Sequence, residues 1–327
     1  MRLPRLATAS LALLAVLTIG LVVSFAVASA RETRAKAAYP PEGQFVEVDG
    51  RSVHYVEAGD GPPLILLHGA GGSTRDFSFD LIDRLAQDYR VIAFDRPGLG
   101  YSDRLPGFDS AFDLDAEPPE AQAAHLFKAA QILGVERPIV VGHSFGGAIA
   151  YAWALNHDPA ALVSIAGVAN PWPGKLYPIY RVHDTALSGA LLPVLIAAWT
   201  PDARVERGIA STFAPQPMPE GYDTHIGVGM SIRAGMFRTD IRQVNALYPH
   251  ITKMSARYDA LTLPIEIIHG TADQSVPVRV HSGPLADRLP SANLTLLDGV
   301  GHMPHHVDPE ATVAAIQRAW DRANAGD

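Results

Sequence analysis

The sequence contains no cysteine among its 327 residues. Disulfide bonds, cysteine-ligated metal sites and thiol nucleophiles are therefore excluded, although this absence does not identify a cellular compartment. Charged residues are also scarce, at 18% of the chain; the formal net charge is −8 and no run of basic residues occurs. Nothing in this balance favours binding to nucleic acid. With 48% hydrophobic residues, the composition is typical of a globular protein with a well-buried core.

The N-terminus lacks charge over a long stretch, since no charged residue occurs from Leu6 to Ala30. About 20 apolar residues suffice to cross a bilayer as a helix, whereas the apolar centre of a signal peptide has about 7–15. We therefore predict that residues 1–30 form a transmembrane anchor separate from the fold. Cleavage of a signal near Ala30, after small residues, is the alternative. Residues 31–43 are expected to be a short linker.

Basic residues flank this apolar segment on both sides. Arg2 and Arg5 precede it, and Arg31, Arg34 and Lys36 follow it. The positive-inside rule therefore gives no clear orientation. We expect the remainder of the chain to lie on the extracytoplasmic side.

Beyond the linker, signals for strands and helices alternate. Two runs rich in β-branched and aromatic residues flank Asp49-Gly50, which predicts a β-hairpin. Continuous apolar runs such as Leu64–Leu67 and Val91–Phe94 are typical of parallel strands buried on both faces. This order predicts a mainly parallel sheet with helices on both sides and a site at the carboxyl ends of the strands. From about Pro171 to Ala260 no strand pattern occurs, so we expect a helical insertion over the sheet.

The stretch Gly142-His143-Ser144-Phe145-Gly146 lies between an apolar run and a run of small residues. A strand, a G-x-S-x-G turn and a helix form a nucleophile elbow, in which a tight turn lifts the serine hydroxyl out of the sheet. The motif alone is weak evidence, because a glycine-rich turn with a surface serine has the same pattern. A base, an orienting acid and a second oxyanion donor must come from the rest of the chain.

Three further segments supply these groups. Asp273 and His302 each follow an apolar run predicted to be a strand, which places them at the same edge of the sheet as Ser144. A serine hydroxyl is a weak nucleophile until a base accepts its proton, and a carboxylate holds that base in the correct tautomer. We therefore predict Ser144, His302 and Asp273 as catalytic residues. The backbone N–H groups of Ala70, in a glycine-rich loop, and of Phe145 are predicted to form the oxyanion hole.

With these segments the chain resembles the α/β-hydrolase-fold proteins over about residues 45–323. The resemblance implies an eight-stranded, mainly parallel α/β sheet with helices on both faces. It also implies a core of residues 44–170 and 261–327, and a helical cap over residues 171–260 that shapes the substrate pocket. The segments that carry it are His68-Gly69, Asp95–Ser102 (similar to the D-x-x-G-x-G-x-S signature of capped members), the serine elbow, Gly270–Asp273 and Gly301-His302.

The elbow residue narrows the activity that the resemblance implies. Related haloalkane dehalogenases and epoxide hydrolases carry aspartate there, so Ser144 argues against those reactions. We expect a serine hydrolase that cleaves a small-molecule carboxylic ester with a small or medium apolar acyl group, without cofactor or metal. Two alternatives stay open. One is a carbon–carbon bond hydrolase, haloperoxidase or perhydrolase on the same triad; the other is a non-catalytic ligand-binding protein.

Two remaining features have structural interpretations that we prefer. His305 and His306 lie close to His302 and suggest a metal site, but no carboxylate with suitable spacing accompanies them, so no metal is expected. The apolar run from Ala190 to Trp199 is too short to span a membrane. We expect it to pack within the insertion, with lining of the acyl pocket or contact with a bilayer surface as alternatives.

Overall fold

The structure is a computed structural model that describes residues 3–174, 180 and 185–325, with side chains from residue 9 onward. Its centre is a single eight-stranded sheet. The strands are Gln44–Val48 (β1), Arg51–Ala58 (β2), Pro63–Leu67 (β3), Arg90–Phe94 (β4), Ile139–His143 (β5), Ala161–Ile165 (β6), Ile265–Gly270 (β7) and Ala292–Leu297 (β8).

The strand order in the sheet is β1-β2-β4-β3-β5-β6-β7-β8. The pairs β1–β2 and β2–β4 are antiparallel, and the remaining pairs are parallel. The predicted hairpin therefore forms one edge of the sheet, and the apolar runs form its parallel part. The predicted fold class, a mainly parallel eight-stranded sheet with helices around it, is confirmed.

Helices cover the sheet and extend beyond it on the carboxyl side of the strands. Before β7 they are Leu3–Ala38 (α1), Arg75–Ser78 (α2), Leu81–Leu85 (α3), Pro119–Ile132 (α4), Phe145–Asn156 (α5), Ala186–Trp199 (α6), Asp202–Thr212 (α7), Tyr222–Ile226 (α8), Val228–Ser231 (α9) and Ala234–Ser255 (α10). A short 3₁₀ turn, Tyr258–Ala260, follows α10. The later helices are Ser282–Arg288 (α11), Pro304–Val307 (α12) and Pro309–Asn324 (α13).

The apolar strands are buried on both faces because each face packs against helices. Val140 of β5 belongs to one core cluster, together with residues of α4 and α5. Its neighbours Ile139 and Val141 belong to a second cluster, together with residues of α3 and α13. Successive side chains of a strand point to opposite faces, so a continuous apolar run is needed wherever helices cover both sides.

The insertion between β6 and β7 has no strand among its described residues and consists of helices α6 to α10. This agrees with the helical insertion expected over residues 171–260. The exact limits of the predicted core and cap domains stay predictions.

Helix α1 differs from the sequence prediction in two respects. It continues without a break to Ala38, so residues 31–38 are helical and do not form an irregular linker. Its last third also packs on the insertion: Ala28 is buried against Val194 and Ala197 of α6. The expectation that residues 1–30 lie apart from the fold is therefore wrong at the C-terminal end of that segment. Small residues on α6 permit the close approach of the two helices.

The earlier part of α1 is uncovered. Large apolar side chains from Leu11 to Phe25 are between 43% and 67% exposed, except where α1 meets the insertion. Among the described residues, one helix, Ala9–Ala38, is by itself long and apolar enough to cross a membrane; a bent pair, α6 with α7, passes the same test jointly.

Candidate active site

Ser144 occupies a sharp turn between β5 and α5. Its backbone has φ 54° and ψ −116°, a combination that an ordinary L-residue adopts only under strain of about 1–3 kcal/mol. The surroundings hold it there, because the Ser144 N–H donates to the Ile165 carbonyl (3.0 Å) and the Ser144 carbonyl accepts from the Val168 N–H (3.0 Å). The turn raises the hydroxyl above the carboxyl ends of the strands, as the G-x-S-x-G pattern predicts.

The glycines of this motif are required by close backbone contacts. A Cβ atom on Gly146 would lie 2.0 Å from the carbonyl oxygen of Leu67, at the end of β3. A Cβ atom on Gly142 would lie 2.2 Å from the carbonyl oxygen of Gly146. Larger residues at either position would push α5 away from the sheet and displace the Ser144 hydroxyl.

The structure brings Ser144, His302 and Asp273 into one row of hydrogen bonds. The Ser144 Oγ lies 2.9 Å from the His302 Nε2. The His302 Nδ1 lies 2.7 Å from the Asp273 Oδ2. Because a carboxylate only accepts, the Nδ1–H donates to Asp273, which leaves the Nε2 lone pair free to accept from the Ser144 hydroxyl. This is the geometry that a general base needs in order to activate a serine.

Asp273 is held as a buried carboxylate by several donors. Its Oδ1 accepts from the backbone N–H groups of Ser275 (2.8 Å) and Val276 (2.9 Å). Burial alone would raise the pKa of Asp273, but hydrogen bonds from His269 and His302 outweigh burial and hold that pKa well below its usual range. Asp273 is therefore ionised at neutral pH.

His269, which the sequence analysis missed, is a second imidazole on this carboxylate. Its Nε2–H donates to the Asp273 Oδ2 (3.0 Å) and to the Val276 carbonyl (2.7 Å). Its Nδ1 accepts from the Ser282 hydroxyl, 2.5 Å away. These contacts fix the direction of the Asp273 carboxylate toward His302. The one available signal in the sequence was position: His269 lies at the end of the strand that leads to Asp273.

A cavity of about 490 Å³ opens beside the row of hydrogen bonds. This volume lies within the range of about 300–1,000 Å³ typical of small-molecule sites. Ser144, His302 and both predicted oxyanion residues, Ala70 and Phe145, line it. Much of the remaining wall is apolar and comes largely from the helical insertion and the loop that enters it: Val168, Trp172, Met230, Met236, Val244 and Leu247.

The loop that contains Ala70 is held on two sides by hydrogen bonds between its backbone and the side chains of Arg96 and Asp240. The Arg96 guanidinium, which is fully buried, donates to the Gly69 carbonyl (2.9 Å). On the opposite side, the Gly71 N–H donates to the Asp240 Oδ1 of α10 (2.7 Å). The insertion therefore contributes directly to the shape of this loop. Neither Asp240 nor its role was identified from the sequence.

His68 stabilises the start of the same loop in its neutral form. Its Nδ1–H donates to the Gly69 carbonyl (2.9 Å), and its Nε2 accepts from the Arg96 N–H (3.0 Å). Burial lowers the pKa of His68 to about 4, and the neighbouring Arg96 charge contributes in the same direction.

A buried carboxylate, Asp76, joins three segments beneath the site. It accepts hydrogen bonds from the Tyr222 hydroxyl (2.7 Å), from the His306 Nε2 (2.8 Å) and from the His305 Nε2 (3.2 Å). Burial by itself would raise the pKa of Asp76, but the interactions with His305 and His306 outweigh it and hold the pKa well below the usual range. His143, beside Ser144, donates from its Nε2 to the His302 carbonyl (3.0 Å).

This cluster corrects the reasoning about a metal at His305 and His306. The sequence near His305 and His306 contains no carboxylate with suitable spacing, yet Asp76 supplies one from a distant part of the chain. Asp76, His143 and His305 place potential ligand atoms within 4.8 Å of one another. Both Asp76 oxygens accept hydrogen bonds from side chains, which anchors the loop that carries His302. The Nδ1 atoms of His143, His305 and His306 are buried without a hydrogen-bond partner among the described residues.

Comparisons with known proteins identify the family. A model of the alpha/beta hydrolase family matches residues 64–315, and the chain belongs to that family. An uncharacterized protein of Mycobacterium tuberculosis is 28% identical over 293 residues, which cover 86% of this chain and 82% of the relative. A 2-hydroxymuconate semialdehyde hydrolase of Pseudomonas putida is 27% identical over 303 residues, which cover 88% and 96%.

Among solved structures, a membrane phospholipase A described as a bacterial virulence factor has a similar fold, with a TM-score of 0.64 and 20% identity. The match covers 98% of this chain and 99% of that protein, so the similarity in fold extends over nearly the whole chain. At this level of identity the likeness establishes the fold alone.

The close contact at the elbow predicts a steric effect of a single methyl group. Gly146→Ala should destabilise the protein by about 3 kcal/mol or more, since the new methyl group would overlap the Leu67 carbonyl and the backbone cannot yield easily. Gly208→Ala in α7 is the control, because nothing lies within 4 Å of its Cβ position; it should be neutral or stabilising by up to about 1 kcal/mol. Equal effects of the two substitutions on chemical denaturation would contradict this account.

The buried histidines predict how stability depends on pH. Burial lowers the pKa values of His68, His281 and His305 to about 4. An unfolded histidine has a pKa of about 6.5, so between these values the unfolded chain binds more protons than the folded one. The free energy of unfolding should therefore fall as the pH decreases from about 6.5 to about 4, by up to about 3 kcal/mol for each histidine. Denaturation at pH 7.5 and 5.0 measures this; equal stabilities would refute the prediction.

Proposed function

We propose that the protein is a membrane-anchored serine hydrolase that cleaves carboxylic esters with a small or medium apolar acyl group through an acyl-enzyme. Membership of the hydrolase family supports the general class. The observation that carries the finer proposal is the unbroken row Ser144–His302–Asp273, with contacts of 2.9 and 2.7 Å, on the wall of a largely apolar cavity.

In the proposed reaction, the Ser144 oxygen attacks the ester carbonyl while the His302 Nε2 accepts its proton. Negative charge develops on the carbonyl oxygen, where N–H groups of Ala70 and Phe145 are proposed to donate. The resulting imidazolium is stabilised by the Asp273 carboxylate and passes its proton to the departing alcohol. A water molecule, activated by His302 in the same way, then releases the acid from Ser144.

The fixed positions of these groups favour catalysis by preorganisation. Donors that already point at the developing oxyanion need no rearrangement during the reaction, and one such donor is typically worth about 3 kcal/mol of barrier. The contacts of Arg96 with Gly69 and of Asp240 with Gly71 hold the loop of Ala70 from both sides. The apolar wall suits an acyl chain, because apolar surface gains free energy when it leaves water.

The packing of α1 supports a retained anchor rather than a cleaved signal. Cleavage near Ala30 would cut a continuous helix between Ala28 and Arg31, and both residues contact α6. A signal segment destined for removal has no need of such contacts. The extracytoplasmic placement of the catalytic part stays a prediction.

Substitution of the nucleophile tests the proposal. Ser144→Ala should abolish labelling by a fluorophosphonate probe and lower the hydrolysis of short p-nitrophenyl esters by a factor of at least about 10³, because the residual activity lacks covalent catalysis. Ser211→Ala, the same change at an exposed serine of α7, is the matched control and should retain both activities. Equal labelling of wild type and Ser144→Ala would refute the proposal, and no labelling of wild type would favour a non-catalytic binding protein.

A second candidate reaction is hydrolysis of a carbon–carbon bond, favoured by the 27% identity to the 2-hydroxymuconate semialdehyde hydrolase of Pseudomonas putida. Both reactions would use the same triad, so probe labelling does not separate them. We expect turnover of simple esters to exceed that of a vinylogous diketone by at least about tenfold in kcat/KM; the reverse order would establish the second candidate. Peroxide-dependent halogenation by the same preparations tests the haloperoxidase alternative.

A further inference from the structure

Helix α6 has one buried face and one exposed face. Both faces are apolar, and none of the residues of the helix is charged. Residues on the inner face are buried against α1 and against the start of α10, among them Val194 and Ala198. On the outer face, Leu195 is 36% and Trp199 57% exposed. These two residues are four positions apart and therefore lie one turn apart on the same side of the helix. Leu187 is also exposed, at 63%, but it belongs to the first turn and lies on the side of Val194.

This outer face continues the uncovered apolar surface of α1. The exposed apolar residues of α1 extend up to Phe25, and the Trp199 indole N–H of α6 donates to the hydroxyl of the adjacent Ser24 (2.9 Å). The first charged residue of α1 after this contact is Arg31. Trp199 therefore lies where the apolar part of the anchor ends, which is the level at which tryptophan is enriched in membrane proteins.

The two helices are fixed to each other by polar contacts as well as by packing. The Arg31 guanidinium donates to the carbonyls of Ala198 (3.2 Å) and Thr200 (2.7 Å), at the C-terminal end of α6, where carbonyls have no partner within the helix. The same guanidinium pairs with Asp202 at the start of α7. When α1 spans a bilayer, α6 is thereby held beside the membrane surface and does not move independently of it.

We propose that the outer face of α6 (Leu195 and Trp199) inserts into the bilayer surface, so that the cap is itself a membrane-binding element. The occupant of this face is lipid, because the face is continuous with the part of α1 whose large apolar side chains, from Leu11 to Phe25, are largely exposed. The absence of charge along α6 also fits an apolar, non-directional partner. A second copy of the chain is the competing occupant.

The lack of cysteine allows a direct measurement of depth with the full chain. Leu195→Cys introduces one thiol, to which an NBD fluorophore is attached before reconstitution in phosphatidylcholine nanodiscs. Ile132→Cys is the matched control, because Ile132 is 59% exposed at the end of α4. Its neighbour Leu133 contacts Arg90, the first residue of β4, so this position lies at the edge of the sheet opposite the insertion. Fluorophosphonate labelling of the detergent-solubilised protein, or its circular dichroism, checks that each variant is folded.

With doxyl-labelled lipid, the fluorophore at position 195 should lose at least about half its emission, whereas the one at position 132 should lose little. Aqueous iodide should give the reverse order. Equal behaviour at the two positions would overturn the proposal. Protection of position 195 from iodide without quenching by doxyl lipid would also overturn it, since a second copy of the chain would then cover the face.

A label-free measurement keeps the test valid if the cysteine variant does not fold. Tryptophan emission is quenched by brominated lipid only where an indole lies in the bilayer. Trp199→Phe retains an aromatic ring at the site but removes its indole emission. The fraction of emission quenched by brominated phosphatidylcholine should fall in this variant by at least about twofold relative to wild type; an unchanged fraction would contradict insertion of Trp199.

Discussion

The parallel alignment of four strand ends is the constraint on which the candidate site depends. The register pairs Leu67 of β3 with Gly142 of β5, and Gly270 of β7 with Leu297 of β8. The loops that follow therefore begin at one edge of the sheet, although they are separated by up to about 230 residues along the chain. Each proposed functional group lies within a few residues of such an end. The sheet thus brings the loops together, and further contacts need only fix the direction of each loop.

Two buried carboxylates hold those loops, and they act differently. Asp273 orients His302 and is itself directed by His269. Asp76 anchors the segment that follows His302 through two further histidines. A buried carboxylate is costly when its donors are missing, and it restricts the movement of the groups that donate to it; both oxygens of Asp76 have such donors. The contacts around Asp76 are consistent with the rigid support that a strained turn at Ser144 requires.

The sequence predicts these two sets of interactions to different degrees. Strand ends and the turn at Ser144 follow from local patterns, since apolar runs and glycine positions reflect burial and close contact directly. Asp76 and Asp240 are not recognisable in the same way, because their partners lie 229 and 169 residues away and nothing in the nearby residues marks them. The continuation of α1 beyond Ala30 was missed for a related reason. The apolar segment ends at Ala30, so the sequence pattern places the boundary there. The helix continues because α1 packs on small residues of α6, and the sequence of α6 shows that it is apolar but not which helix it contacts.

The packing of α1 changes how the N-terminus relates to the cavity. Pro41 and Glu42, which lie shortly after the end of α1, line the cavity, and α1 itself contacts helix α9. Met230 of the same helix also lines the cavity. Helix α1, the insertion and the cavity wall are therefore parts of one packed unit. Removal of residues 1–30 would strip packing from α6 as well as the anchor, so loss of activity in such a truncation would not measure the contribution of membrane attachment. Substitution of Leu195, which lies on the outer face of α6, leaves the packing of α1 on α6 in place and separates the two effects.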